Sequence, residues 1–186
     1  MAFAGLSPYH DYFQVWARHP HARWDYNASF AEIADHLQQD GGRALIASTR
    51  PDLDRVAFDL AAGDEPLPAR WFHGTQALVF PRDPGADSRY YLPVTVPVPD
   101  QLRALLPADG AHQLLAPDGS LSVEILRPPA GPPSARQPLE GLLGDQVQVV
   151  GYDLLSPVLQ AGQPLELLLH WRVVTNPDPR RPWTWF

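Results

Sequence analysis

The sequence predicts an α/β fold: a small two-layer or three-layer domain with a mainly parallel sheet, followed by an incomplete antiparallel β-sandwich. Three observations carry this expectation. Between residues 27 and 127, one-sided helical stripes alternate with short apolar runs, the rhythm of helices layered on a sheet. A proline-dense segment at 128–138 breaks that rhythm, because proline continues neither a helix nor an inner strand. Beyond it, apolar residues recur with period two, the mark of half-buried strands. The chain therefore divides into a leading segment 1–26, an α/β domain 27–127, a linker 128–138 and a truncated sandwich 139–186.

The elements follow in order. Ser29-Phe30-Ala31-Glu32 has the pattern of a capping box, and Phe30, Ile33, Ala34 and Leu37 form a helical stripe that should stop at Asp40-Gly41-Gly42. Ala44 to Thr49 reads as a short buried strand. Pro51 suits the first turn of a second helix, whose stripe is Leu53, Val56, Ala57 and Leu60. Ala77-Leu78-Val79-Phe80 reads as a second strand stopped by Pro81. Arg89 to Val94 reads as a third, placed at an edge because of Pro93. Asp100 opens a short helix carrying Leu102, Leu105 and Leu106. Pro117-Asp118-Gly119 is turn chemistry, and the alternation of Leu121, Val123 and Ile125 after it makes a hairpin. After the linker, Gln146–Tyr152 and Leu165–Val173 are strand candidates, the second with Leu165, Leu167, Leu169, Trp171 and Val173 on one face. The apolar ending Pro182-Trp183-Thr184-Trp185-Phe186 is read as a truncation.

Composition excludes several classes of function. The chain has 186 residues, 45% of them apolar and 19% charged, the latter below the roughly 25% of an average soluble domain. A formal net charge of −7 argues against nucleic acid as a partner, since phosphates demand a basic face. All 14 basic residues are arginine, a pattern of coding bias. Cysteine is absent, which removes disulfides, thiolate metal sites and cysteine nucleophiles. No apolar run approaches the roughly 20 residues that span a bilayer. The opening Met1–Leu6 is too short for a signal-peptide core and has no basic leader.

His10, His19 and His21 lie close in sequence, but Pro20 holds the last two extended, so surface histidines are the better reading than a metal site. Asp52 with Asp54, and Asp64 with Glu65, sit at helix starts or in loops, where the helix dipole accounts for them. No nucleophile elbow, glycine-rich dinucleotide loop or P-loop occurs, and no cofactor or metal is implied. Ser48 and Thr49 end a strand and face a helix start, the usual place for a ligand in an open α/β sheet, and they are the best generic candidates. Trp71-Phe72 and Tyr90-Tyr91 are adjacent aromatic pairs; each should send one ring to the core and one outward, and core packing is the better reading than a carbohydrate or partner surface, for which Trp71 and Tyr90 are the weaker candidates. Asn27-Ala28-Ser29 matches the glycosylation sequon, but the overlap with a helix cap explains it better.

Several strings together resemble one family. Tyr12-Phe13-Gln14-Val15-Trp16-Ala17-Arg18-His19-Pro20 and the helix after it look like the segment following the last transmembrane helix of polytopic, lipid-phosphosugar-dependent glycosyltransferases. These are the enzymes of the protein mannosyltransferase and aminoarabinose transferase type, and in particular the strings look like those of their bacterial relatives from Chloroflexi. Arg70 to Pro81 resembles a strand pair of their soluble C-terminal domain. Leu143–Asp153 and Gly162–Trp171 resemble the start of an appended β-sandwich. The resemblance implies a juxtamembrane role for 1–26 and a non-catalytic portion of a membrane enzyme on the extracytoplasmic face. Its partners would be the transmembrane part of the parent and a lipid-linked sugar or carbohydrate acceptor. The family's catalytic acids lie in the membrane-embedded part, so no catalytic residue is carried over. A stand-alone carbohydrate-binding or interaction module, and a small soluble α/β enzyme with a site near Ser48 and Thr49, are the competing expectations.

Overall fold

The computed structural model describes residues 20–81, 85, 87–107, 110–144, 146–156, 158 and 162–174, with the side chains of Pro20 and His21 excepted. The expectations for His10, His19, Tyr12, Phe13, Trp16 and the final aromatic tail lie outside the described residues. The chain divides into two compact units that part between Pro132 and Pro133.

The first unit is built on a five-stranded sheet. A short helix α1 (Pro20–Asp25) leads into α2 (Ala28–Asp40), β1 (Arg43–Ser48), α3 (Pro51–Ala62) and β2 (Ala69–His73). Then come β3 (Ser88–Pro93), the single turn α4 (Asp100–Arg103), β4 (His112–Leu115) and β5 (Leu121–Leu126). The strand order is β2-β1-β3-β5-β4. β1 runs parallel to β2 and to β3, whereas β5 is antiparallel to both β3 and β4. The fold class is α/β, but the sheet is mixed rather than mainly parallel. The hairpin around Pro117-Asp118-Gly119 supplies its antiparallel half: Gly119 takes φ +83° and the Asp118 carboxylate accepts the Ser120 N–H at 2.9 Å.

Two strand assignments change. Residues 77–80 form no strand; β2 lies earlier, and Leu78, Val79 and Phe80 cross the sheet as irregular chain packed on the core. β3 is central, not an edge. Pro93 is tolerated there because the β1–β3 ladder ends at Ile46 and Tyr91. Val94 N–H donates to Ser122 O on the β5 side, so the ring nitrogen of Pro93 faces the side where pairing has already stopped.

Register explains the layers. Trp71, Ile46, Tyr91, Ile125 and His112 are successive partners across all five strands, so they share one face. Helices α2 and α3 cover that face: Trp71 packs between Phe30 and Phe58, each ring centroid 5.5 Å away. On the opposite face Ala47, Phe72 and Tyr90 meet Phe80 and Val96. Both faces are therefore buried, which is why Tyr90 and Tyr91 are each fully enclosed although they point in opposite directions.

Helix details depart from the expected capping. Asn27 precedes α2 in a left-handed conformation (φ 52°, ψ 40°) without a side-chain cap, and the Ser29 hydroxyl is buried without a hydrogen-bond partner. Glu32 reaches elsewhere, pairing with Arg23 and accepting from the Ser122 hydroxyl. The α2 terminus is as expected, with Gly41 (φ 67°) donating to Leu37 O. In α3 the buried face is Asp54, Phe58 and Ala62, while Leu53, Val56 and Leu60 face solvent at 56%, 54% and 78% exposure.

The second unit is an open antiparallel sheet in the order β6 (Gln137–Leu143), β7 (Val147–Leu154), β8 (Leu167–Val173). β6 begins within the stretch expected to be linker, and its Pro138 sits on an edge strand. The Asp153 carboxyl lies below its ordinary range, chiefly because the Arg136 N–H donates to it, with His170 beside it at 3.2 Å. Among the described residues, no helix is long and apolar enough to cross a membrane.

Candidate functional site

The expected ligand position at the end of β1 is a closed structural corner. Ser48 is fully buried and its hydroxyl donates to Asp54 Oδ2 at 2.6 Å. The Arg50 N–H points at both groups, 2.9 Å from Ser48 Oγ and 3.3 Å from Asp54 Oδ2. Asp54 is itself 2% exposed, so this carboxylate is spent on joining β1 to the first turns of α3. Thr49 is half-buried on the bend between them. Next to Ser48 on β2 stands His73, whose Nδ1 lies 2.8 Å from Thr75 Oγ1.

The two aromatic candidates are core residues. Tyr90 is 0% exposed and donates its hydroxyl to Val79 O at 2.6 Å, pinning the irregular segment to the sheet. Burial pushes its phenol well above the usual range. Trp71 is half-buried between two phenylalanines. The structure therefore does not bring Ser48, Thr49, Trp71 and Tyr90 together: Ser48 and Trp71 share the helix-covered face, and Tyr90 lies under the other.

A concentration of polar chemistry appears elsewhere, where α2 runs out over the β3-β5-β4 half of the sheet. A cleft of about 230 Å³ is lined by His36, Asp40, Arg89, His112, Gln113, Leu114 and Ile125. Register builds it: Tyr91, Ile125 and His112 form one cross-strand row, and Arg89 lies two residues before Tyr91 on the same face. Helical spacing puts His36 and Asp40 together one turn apart on α2. Gly42 lets the chain turn tightly beside the cleft: its φ is +95°, and an added Cβ would lie 2.5 Å from Asp87 O and 3.4 Å from Arg89 Nη1.

Inside the cleft His36 is the pivot. Its Nδ1 lies 3.1 Å from the Tyr91 hydroxyl and its Nε2 3.4 Å from Asp40 Oδ2. Its pKa is lowered, first by burial and then by the positive charge of Arg89 and the neighbouring His112, with Asp40 acting in opposition. Burial pushes the Tyr91 phenol up to about 12, against the pull of the Arg89 guanidinium hydrogen-bonded to it. No short-range motif joins His36, Arg89 and His112; the one local signal in the sequence is His36 and Asp40 at i, i+4. In the Ser48-Asp54 corner the hydroxyl is spent on the carboxylate, whereas the cleft gathers the Arg89 guanidinium with the His36 and His112 imidazoles. No protein family, curated protein or solved structure matches this chain.

Proposed function

We propose that the chain is a non-catalytic, extracytoplasmic portion of a membrane glycosyltransferase that draws sugar from a lipid-phosphate donor. In this reading the five-stranded unit is an accessory α/β domain, and the three-stranded unit is part of a larger β-sandwich. The observation that carries the proposal is the apolar face of that second sheet. Leu143 pairs with Val147, and β7 then aligns Val147, Val149, Tyr152 and Leu154 with Val173, Trp171, Leu169 and Leu167 of β8. Leu143, Leu154, Leu167, Leu169 and Val173 on this face are 59%, 39%, 37%, 51% and 42% exposed. A face of that composition is what the inner layer of a sandwich presents to its second sheet.

The resemblance of the surrounding strings to the soluble region of these transferases supports a parent of that kind. The test is to sequence the DNA flanking the reading frame. Several in-frame apolar spans of about 20 residues upstream, with further alternating strands downstream, are expected. In-frame stops close on both sides would overturn the proposal. In the extended protein, the amides of β6 and β8 should be slower to exchange than in the present chain, because the sheet would be covered.

A further inference from the structure

We propose that the cleft between α2 and the β3-β5-β4 face is a binding site for a phosphate group, free or carried as a monoester. The site goes beyond the role in a transferase and does not depend on it. Two strands bring donors to the cleft, the Arg89 guanidinium from β3 and the His112 imidazole from β4, beside the His36 ring of α2, whose nitrogens face the Tyr91 hydroxyl and Asp40. A tetrahedral oxyanion accepts from several directions at once, which suits this arrangement better than a planar carboxylate. The volume, about 230 Å³, is below the 300–1,000 Å³ typical of drug-sized ligands and fits a phosphate with few atoms attached. Leu114 and Ile125 give the cleft an apolar floor, and Tyr91 holds His36 from beneath.

The groups facing His36 are Asp40 on its own helix, Arg89 and Tyr91 on β3, and His112 on β4. Without an anion, burial chiefly opposes its protonation, the Arg89 charge adds to that, and Asp40 favours the charged ring. A bound anion favours the charged ring, so for a ligand of fixed charge binding takes up a proton at His36 as pH falls through the histidine range. Asp40 is the opposing charge. It sits at the mouth, 56% exposed, and is the group whose removal should help an anion.

Isothermal titration calorimetry with inorganic phosphate, at about pH 6 and about pH 8 and with chloride-matched ionic strength, tests the site. A second titration with a simple phosphomonoester separates the free ion from an esterified group. The expected result is saturable binding at the lower pH. Arg89→Gln should weaken it about ten- to a hundred-fold, the worth of a charge-assisted hydrogen bond. Asp40→Asn should tighten it, an effect that a merely structural role for Asp40 does not produce. His112→Gln alters an exposed side chain; it should weaken binding at about pH 6, and it keeps the test open if Arg89→Gln fails to fold. Absence of saturable binding at the lower pH, wild-type affinity in folded Arg89→Gln, or weakened binding in Asp40→Asn would each overturn the proposal.

Discussion

The Ser48 hydroxyl donates a 2.6 Å hydrogen bond to the Asp54 carboxylate, and both side chains are withdrawn from solvent. A strand end and a helix start are thereby joined by one buried polar pair. Ser48→Ala leaves a buried carboxylate with little beyond the Arg50 N–H at 3.3 Å. The expected loss is about 1–3 kcal/mol of unfolding free energy, read as a lower urea midpoint with an unchanged slope. An unchanged midpoint would show that water replaces the hydroxyl.

The two faces of α3 should differ sharply. Phe58 is 2% exposed against Trp71, whereas Leu60 is 78% exposed. Phe58→Ala is expected to cost about 3–5 kcal/mol and Leu60→Ala to stay within about 0.5 kcal/mol, both by denaturant titration. Comparable costs would mean that the helix is rotated about its axis.

His36 makes stability depend on pH. Its folded pKa lies below the ordinary 6.5. As pH falls below 6.5, the unfolded chain takes up a proton that the folded chain resists, so stability declines until the folded pKa is passed. His36→Gln should flatten this part of a plot of unfolding free energy against pH. A slope as steep as in the parent would assign the effect to other groups.

Tyr91 acts at the alkaline end. Its phenol is raised from the ordinary 10 to about 12 by burial, so the unfolded chain releases its proton first. Stability then falls as pH rises from about 10 toward 12, and an absorbance titration should lose its step near 12 in Tyr91→Phe. A full tyrosine titration centred at the ordinary value would contradict the burial of this residue.

Gly42 cannot carry a side chain. With φ +95° and a Cβ position 2.5 Å from Asp87 O, Gly42→Ala forces the backbone to move. It should destabilise by more than about 1 kcal/mol, while Gly131→Ala, with open space around it, should be near neutral by thermal melting.

Local pattern determined much of this protein without help from the fold. The stripe Phe30, Ile33, Ala34 and Leu37, the glycines closing α2, the apolar run of β1, the hairpin at Pro117-Asp118-Gly119 and the alternation along β8 are set by neighbours within a few residues, where sequence and geometry coincide. Tertiary structure decided what depends on distant partners. α3 has two apolar sides, and Phe58 rather than Leu60 faces inward because Trp71 on β2 receives it and Ser48 receives Asp54. Residues 77–80 are as apolar as a strand, yet they cover a sheet face instead of extending it, since Tyr90 fastens Val79 there. β3 is central because its proline falls beyond the β1 ladder. The cleft lay furthest from view: His36, Arg89 and His112 meet only when strand register aligns Tyr91, Ile125 and His112 under the last turns of α2, and no short stretch of chain encodes that register.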